Sequence, residues 1–135
     1  FTSNSGSNNI SKITPLGIST IFATTGISPN GIIIDNSDNL YTANSGSNNV
    51  SKITSLGVST ILGTTGLSPS NITIDSLSNL YTSNLNSDNV SKITQLGASS
   101  IIGTTGNLPY AILVDNYSNV YTANNGSNNV TIIVQ

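Results

Sequence analysis

The chain has 135 residues, with three Lys, five Asp, and no His, Cys, Met or Trp, for a formal net charge of −2. Without Cys and His there is no disulfide, thiolate nucleophile, imidazole base or usual zinc site, and three cations are too few to capture a phosphate backbone. The 21 Asn, 23 Ser and 17 Thr make up 45% of the chain against a charged fraction of 6%, so solubility rests on amides and hydroxyls. 

The first block, Phe1 to Thr14, reads FTSNSGSNNISKIT. It returns in fuller form from Asn39 to Thr54 as NLYTANSGSNNVSKIT, from Asn79 to Thr94 as NLYTSNLNSDNVSKIT, and from Asn119 as NVYTANNGSNNVTIIV. The two full copies are identical at 12 of 16 positions at an offset of 40 residues. The stretches between blocks keep the same phase: Leu16-Gly17, Leu56-Gly57 and Leu96-Gly97, then Thr24-Thr25-Gly26, Thr64-Thr65-Gly66 and Thr104-Thr105-Gly106, then Pro29, Pro69 and Pro109. A fixed period of this length marks a repeat architecture.

One period holds four short, β-branched segments: Ile32 to Asp35, Leu40 to Asn44, Val50 to Thr54 and Val58 to Leu62. Residues with turn chemistry separate them, at Asn36-Ser37-Asp38, Asn44 to Asn49, Ser55-Leu56-Gly57 and Gly63 to Pro69. No window repeats apolar residues at helical spacing, and Asn, Ser, Thr and Gly form helices poorly, so helix is expected to be nearly absent. The Ile32-Ile33-Ile34 and Leu40-Tyr41-Thr42-Ala43 segments are apolar on both faces, so each must be covered twice. Small sheets packed radially provide that cover, with the Ile-rich strand innermost and Val58 to Leu62 outermost. The expected fold is therefore an all-β propeller of four-stranded blades of about 40 residues. A β-solenoid, with shorter and usually parallel rungs, is the alternative.

The residues Ile32-Ile33-Ile34-Asp35, Asn39-Leu40-Tyr41-Thr42-Ala43-Asn44 and Asn49-Val50-Ser51-Lys52-Ile53 resemble the NHL-type β-propeller repeat. That repeat runs from an apolar strand ending in Asp, through a Gly-Asn turn, to an apolar-Tyr-Val-Ala-Asp strand and then Asn-Arg-Ile. Here Asp38, Ser78 or Ser118 stands at the turn glycine, Asn44, Asn84 or Asn124 at the second Asp, and no Arg is present. The resemblance implies a propeller across essentially the whole chain. It does not carry over the basic face of RNA-binding members or the His-held zinc of lyase-like members.

With strands labelled A to D from the axis outward, the chain divides into a single repeat domain, 1–135. Blade 1 is partial (1–26, strands B to D), blades 2 (27–66) and 3 (67–106) are complete, and blade 4 is partial (107–135, strands A to C). About three and a half blades form either an incomplete arc or a ring completed by other chains. Exposed blade faces then favour association. Phe1 opens the chain without a signal-peptide pattern, so it reads as a processed product or a fragment of something longer. No apolar run approaches the roughly 20 residues of a membrane-spanning helix.

Asp35, Asp75 and Asp115 close the innermost strands. They are weak candidates for a hard-cation ring, against the commoner use of Asp in holding a turn. Lys12, Lys52 and Lys92 share one phase of the third strand, where each stem covers neighbouring strands and the ammonium reaches water or an Asp. Tyr41, Tyr81 and Tyr121 fit blade packing with a bonded hydroxyl better than a sugar platform. The Asn-rich B–C loops and the D–A loops are expected on one rim, with Asn44, Ser47, Asn84, Asn86, Asn124, Asn125, Tyr110 and Tyr117 as candidate contact residues. Seven N-x-Ser/Thr sequons occur, which is no more than this composition yields by chance.

These features predict a non-catalytic structural or interaction scaffold that binds no cofactor, nucleic acid or metal. Its partners would be itself, the remainder of a longer propeller, or other proteins. The alternative is a lectin-like module that binds glycans or peptides through the rim. The weakly charged surface suits an extracellular place or a cell or virion surface better than free solution in the cytosol.

Overall fold

The computed structural model describes all residues, 1–135, as strands and turns with no helix. Fourteen strands follow in order: β1 (Thr2–Asn4), β2 (Asn9–Ile13), β3 (Ser19–Thr24), β4 (Pro29–Ile34), β5 (Leu40–Asn44), β6 (Asn49–Ile53), β7 (Ser59–Thr64), β8 (Pro69–Ile74), β9 (Leu80–Asn84), β10 (Asn89–Ile93), β11 (Ser99–Thr104), β12 (Pro109–Val114), β13 (Val120–Asn124) and β14 (Asn129–Ile133). They form four antiparallel meanders: β1-β2-β3, β4-β5-β6-β7, β8-β9-β10-β11 and β12-β13-β14. The fold is a partial β-propeller, with three-stranded sheets at either end and four-stranded sheets between them.

The turns explain the meander. Between inner and second strands the chain folds back over five residues, with Asp38, Ser78 and Ser118 at φ between 60° and 67°. This is the left-handed conformation that glycine adopts most cheaply, which accounts for the glycine in the resembling repeat. The second and third strands pair residue for residue, for example Leu40 with Ile53 and Asn44 with Asn49. A bulge at Val50/Ser51 then shifts the register to the outer strand, adding the local twist that outer strands of a blade require. Inner strands are longer than the sequence pattern suggests. They begin at Pro29, Pro69 and Pro109, because a bulge just after the proline lets it pair with the last residue of the second strand while its neighbour is left out of the ladder. The outer strands likewise reach Thr24, Thr64 and Thr104, so the D–A connection is shorter than the Gly63 to Pro69 break.

Each blade has two packing faces. The forward face of the second blade, with Tyr41, Ala43 and Val50, meets Ile72, Leu80 and Ile93 on the back face of the third. Ile10 and Ala23 of the first blade meet Leu40 and Ile53 of the second, and Tyr81 and Val90 of the third meet Val120 of the fourth. Three interfaces of one design hold the arc together, and every buried side-chain nitrogen and oxygen has a hydrogen-bond partner.

Candidate interaction surface

The three recurrent aspartates are engaged inside their own turns. Asp35 Oδ1 accepts the backbone N–H groups of Ser37 (2.8 Å) and Asn39 (2.9 Å), while Oδ2 accepts the Asn39 amide (2.9 Å) and the Tyr41 hydroxyl (3.0 Å). Asp75 and Asp115 repeat this set with Asn79 and Tyr81, and with Asn119 and Tyr121. Burial alone would raise the Asp35 and Asp75 carboxyls, but the hydrogen bonds outweigh it and hold them below the ordinary carboxylate value of 3.8. Asp115, whose strongest influence is the Asn119 amide, is lowered as well. The tyrosines respond in the opposite sense. Burial and then the Asp35 acceptor push Tyr41 up to about 12, and the same causes raise Tyr81. With both carboxylate oxygens already accepting, these residues lock turns rather than present a free ligand set.

The lysines depart from the sequence expectation in one respect. Lys52 lies directly opposite Tyr41 in the ladder, and Lys92 opposite Tyr81. Their ammonium groups sit 5.8 and 5.4 Å from the ring centroids, and Lys12 lies 5.8 Å from the Phe1 ring. The partner of each cation is an aromatic face, not a carboxylate.

Of the candidate rim residues, Asn44, Asn84 and Asn124 are corrected by the structure. All three are buried, because the last position of the second strand points into the back face of its blade. Asn84 Nδ2 donates to Asn89 Oδ1 (2.7 Å) and Ser91 Oγ (2.8 Å), and its Oδ1 accepts from Thr82 Oγ1 (3.0 Å). Asn44 and Asn124 make the equivalent bonds. Ser47 accepts the Ile27 N–H and donates to Asn49, so it ties the incoming D–A connection to its own B–C loop. Tyr117 lies in an inner turn, at the opposite end of the strands from the B–C loops. Asn86 and Asn125 are exposed on the rim, and Tyr110, 64% exposed, flanks Asn125, Asn128 and Asn129 along an open groove of about 580 Å³ floored by Ala111, Ala123 and Val130.

That groove is part of a larger feature, one of the exposed blade faces expected of an incomplete arc. Val50 and Val90 are completely buried between blades, whereas Val130, at the same phase, is 64% exposed. Ile53 and Ile93 are completely buried, whereas Ile13 is 49% exposed. The forward face of the fourth blade and the back face of the first are thus built as interfaces and are uncovered in the single chain. A second apolar series runs along the outer turns, where Leu16, Leu56 and Leu96 are 87%, 88% and 95% exposed. The period of 40 would reveal both, once the neighbours of each blade face are counted.

No family model and no curated protein sequence matches the chain. Solved structures do. A virginiamycin B lyase from Staphylococcus aureus matches with a TM-score of 0.75 at 19% identity, over 96% of this chain and 50% of that one. A chain of a nidogen/laminin complex matches with a TM-score of 0.78 at 20% identity, over 96% and 52%. A putative gluconolactonase matches with a TM-score of 0.72 at 11% identity, over 96% and 53%. The chain spans about half the length of these structures, and at such identities the likeness is one of fold, shared by enzymes and a binding protein alike.

Proposed function

We propose that the chain is a non-catalytic scaffold of NHL-like propeller blades that associates through the two blade faces at the ends of its arc. The observation that carries this reading is the contrast between Val130 and its buried counterparts Val50 and Val90, matched at the other end by Ile13 against Ile53 and Ile93. The two faces are different and complementary, since within the chain a forward face always meets a back face. Contacts between copies are therefore head to tail, which leads to rings where the rotation closes and to filaments where it does not. The same faces would join further blades of a longer propeller. A weakly charged surface rich in amides suits an assembled coat outside the cell or on a cell or virion surface.

Sedimentation of the purified chain tests this reading. The chain is expected to associate as its concentration rises, and Val130→Lys, which places a charge in the uncovered face, is expected to return it to a smaller species without unfolding it. Association unchanged in Val130→Lys would remove the reading. Glycan-array binding that disappears in Asn125→Ala would put the rim-based, lectin-like reading in its place.

A further inference from the structure

The outer turns carry a residue that the fold does not need. They join β2 to β3, β6 to β7 and β10 to β11, and each closes on itself through its threonine. The Gly57 N–H donates to the Thr54 carbonyl (2.8 Å), the Thr54 N–H to the Val58 carbonyl (2.9 Å) and the Val58 N–H to Thr54 Oγ1 (3.2 Å). Thr14, Gly17 and Ile18 repeat these bonds, as do Thr94, Gly97 and Ala98. The glycine is set by its φ, between 78° and 87° in the three turns, where a side chain is disfavoured. Nothing of this kind fixes the residue before it. That residue is nevertheless leucine each time, Leu16, Leu56 and Leu96, while its own predecessor differs as Pro15, Ser55 and Gln95. Each leucine is nearly fully exposed, so it packs neither on its own blade nor on the next, at a place where Asn, Asp, Ser or Gly is usual. Leu56 and Leu96 belong to blades with neighbours on both sides, so their exposure is a property of the complete blade.

The surroundings of the leucines are apolar and uncharged. Ile18 and Val58 follow the glycine and are exposed, and the segments 14–25, 54–65 and 94–105 contain no charged residue. The antiparallel strand order places the inner turns at the same end of the blades, and there Leu77 and Tyr117 are exposed as well. The charged groups of this end are Lys12, Lys52 and Lys92, at the foot of the outer turns, and Asp35, Asp38, Asp75 and Asp115 in the inner ones. Three cations against four carboxylates leave it close to neutral.

We propose that this end of the blades docks on a phospholipid bilayer surface without net charge, with Leu16, Leu56 and Leu96 inserted among the acyl chains. A protein partner would need a shaped pocket for each of three separate leucines held one blade apart, whereas a fluid bilayer accepts all three. The turns suit that medium. Hydrocarbon penalises unbonded backbone groups, and three N–H groups of each turn are already bonded within it. The lysines stand two residues before the threonines, so their ammonium groups stay at the depth of the phosphates. The near balance of charge favours zwitterionic over anionic lipid, which attracts clustered cations. The proposal goes beyond the assembly reading and does not rest on it, because the outer turns lie apart from the blade faces at the two ends of the arc.

The chain has no Trp, so Leu56→Trp places a single indole on an outer turn and Asn86→Trp places one at the opposite end. With phosphatidylcholine vesicles at about millimolar lipid, the emission of Leu56→Trp is expected to shift to the blue and to be quenched by brominated acyl chains. Asn86→Trp is expected to emit as it does in buffer. In flotation with the same vesicles, Leu16→Ser, Leu56→Ser and Leu96→Ser should each weaken binding about tenfold, with urea denaturation unchanged because the positions are exposed. Binding should persist at about 1 M salt. No binding at that lipid concentration, equal shifts of the two indoles, binding that survives the serine variants, or binding that needs anionic lipid and disappears in salt would overturn the proposal. So would serine variants that lose self-association and leave vesicle binding intact, which would make the leucines a contact between copies. Vesicle binding by a chain that never associates would retain the docking end while removing the assembly reading. Association without vesicle binding would do the reverse.

Discussion

Asn84 is completely buried, yet its side chain joins three neighbours, and this is what lets so polar a sequence build a core. Replacing it with alanine strands Ser91, Asn89 and Thr82 in a dry blade face. Asn84→Ala should cost about 1–3 kcal/mol in urea denaturation, while Asn125→Ala, on the exposed rim, should stay within about 0.5 kcal/mol of wild type. The sequence does not separate these two asparagines. Both border a polar turn, and only the parity of the preceding strand shows that one points into the sheet. Leu108 presents the opposite case, an aliphatic residue at φ 52° where the other blades carry Ser28 and Ser68. A bulky aliphatic side chain is disfavoured in that region whereas Asn tolerates it, so Leu108→Asn should raise stability by roughly 0.5–1 kcal/mol, measured by the same denaturation.

The inner turn sets how the blades respond to pH. The aspartates are lowered when folded, so their stabilisation is present above about 3.8, the unfolded value, and is lost as pH falls through the lower folded values. Tyr41 is raised to about 12, so its contribution is full below the ordinary 10.0 and disappears as pH rises from there through 12. Stability followed by circular dichroism should therefore be flat across neutral pH and fall at both ends, and Tyr41→Phe should flatten part of the alkaline fall. Within the same element class, Gly66→Ala should lower stability by about 1–3 kcal/mol, because its Cβ meets three polar atoms of a bonded cluster. Strand number, order and the outward sequence from inner to outer strand are legible from the 40-residue period and the β-branched runs. Strand ends are less so. Proline and glycine at positions 29 and 31 read as loop, and only the bulge that accommodates them turns Pro29–Ile34 into a strand.

At the scale of the molecule, the period reveals the fold, but burial changes along the chain in a way that composition conceals. Equivalent positions of two repeats place Val90 in a sealed interface and Val130 in the open, because burial here belongs to pairs of blades and not to the blade that carries the residue. If copies meet as blades do, one copy's fourth blade contacts another's first, and the two faces can be blocked separately. Val130→Lys disables the leading face and leaves the trailing one intact, while Ile13→Lys does the opposite. Each variant alone should sediment as a monomer. An equimolar mixture should form a pair and nothing larger, since the one usable leading face meets the one usable trailing face and both outer ends are blocked. Contact through a single self-complementary patch, such as the row of Leu16, Leu56 and Leu96, would leave at least one variant fully associated and would give no gain on mixing. With so few charges on the chain, the pair should persist when salt is raised to about 1 M, where exposed ion pairs are screened within roughly 3 Å. Dissociation at that salt would place the contact on the lysines and aspartates instead of the aliphatic faces.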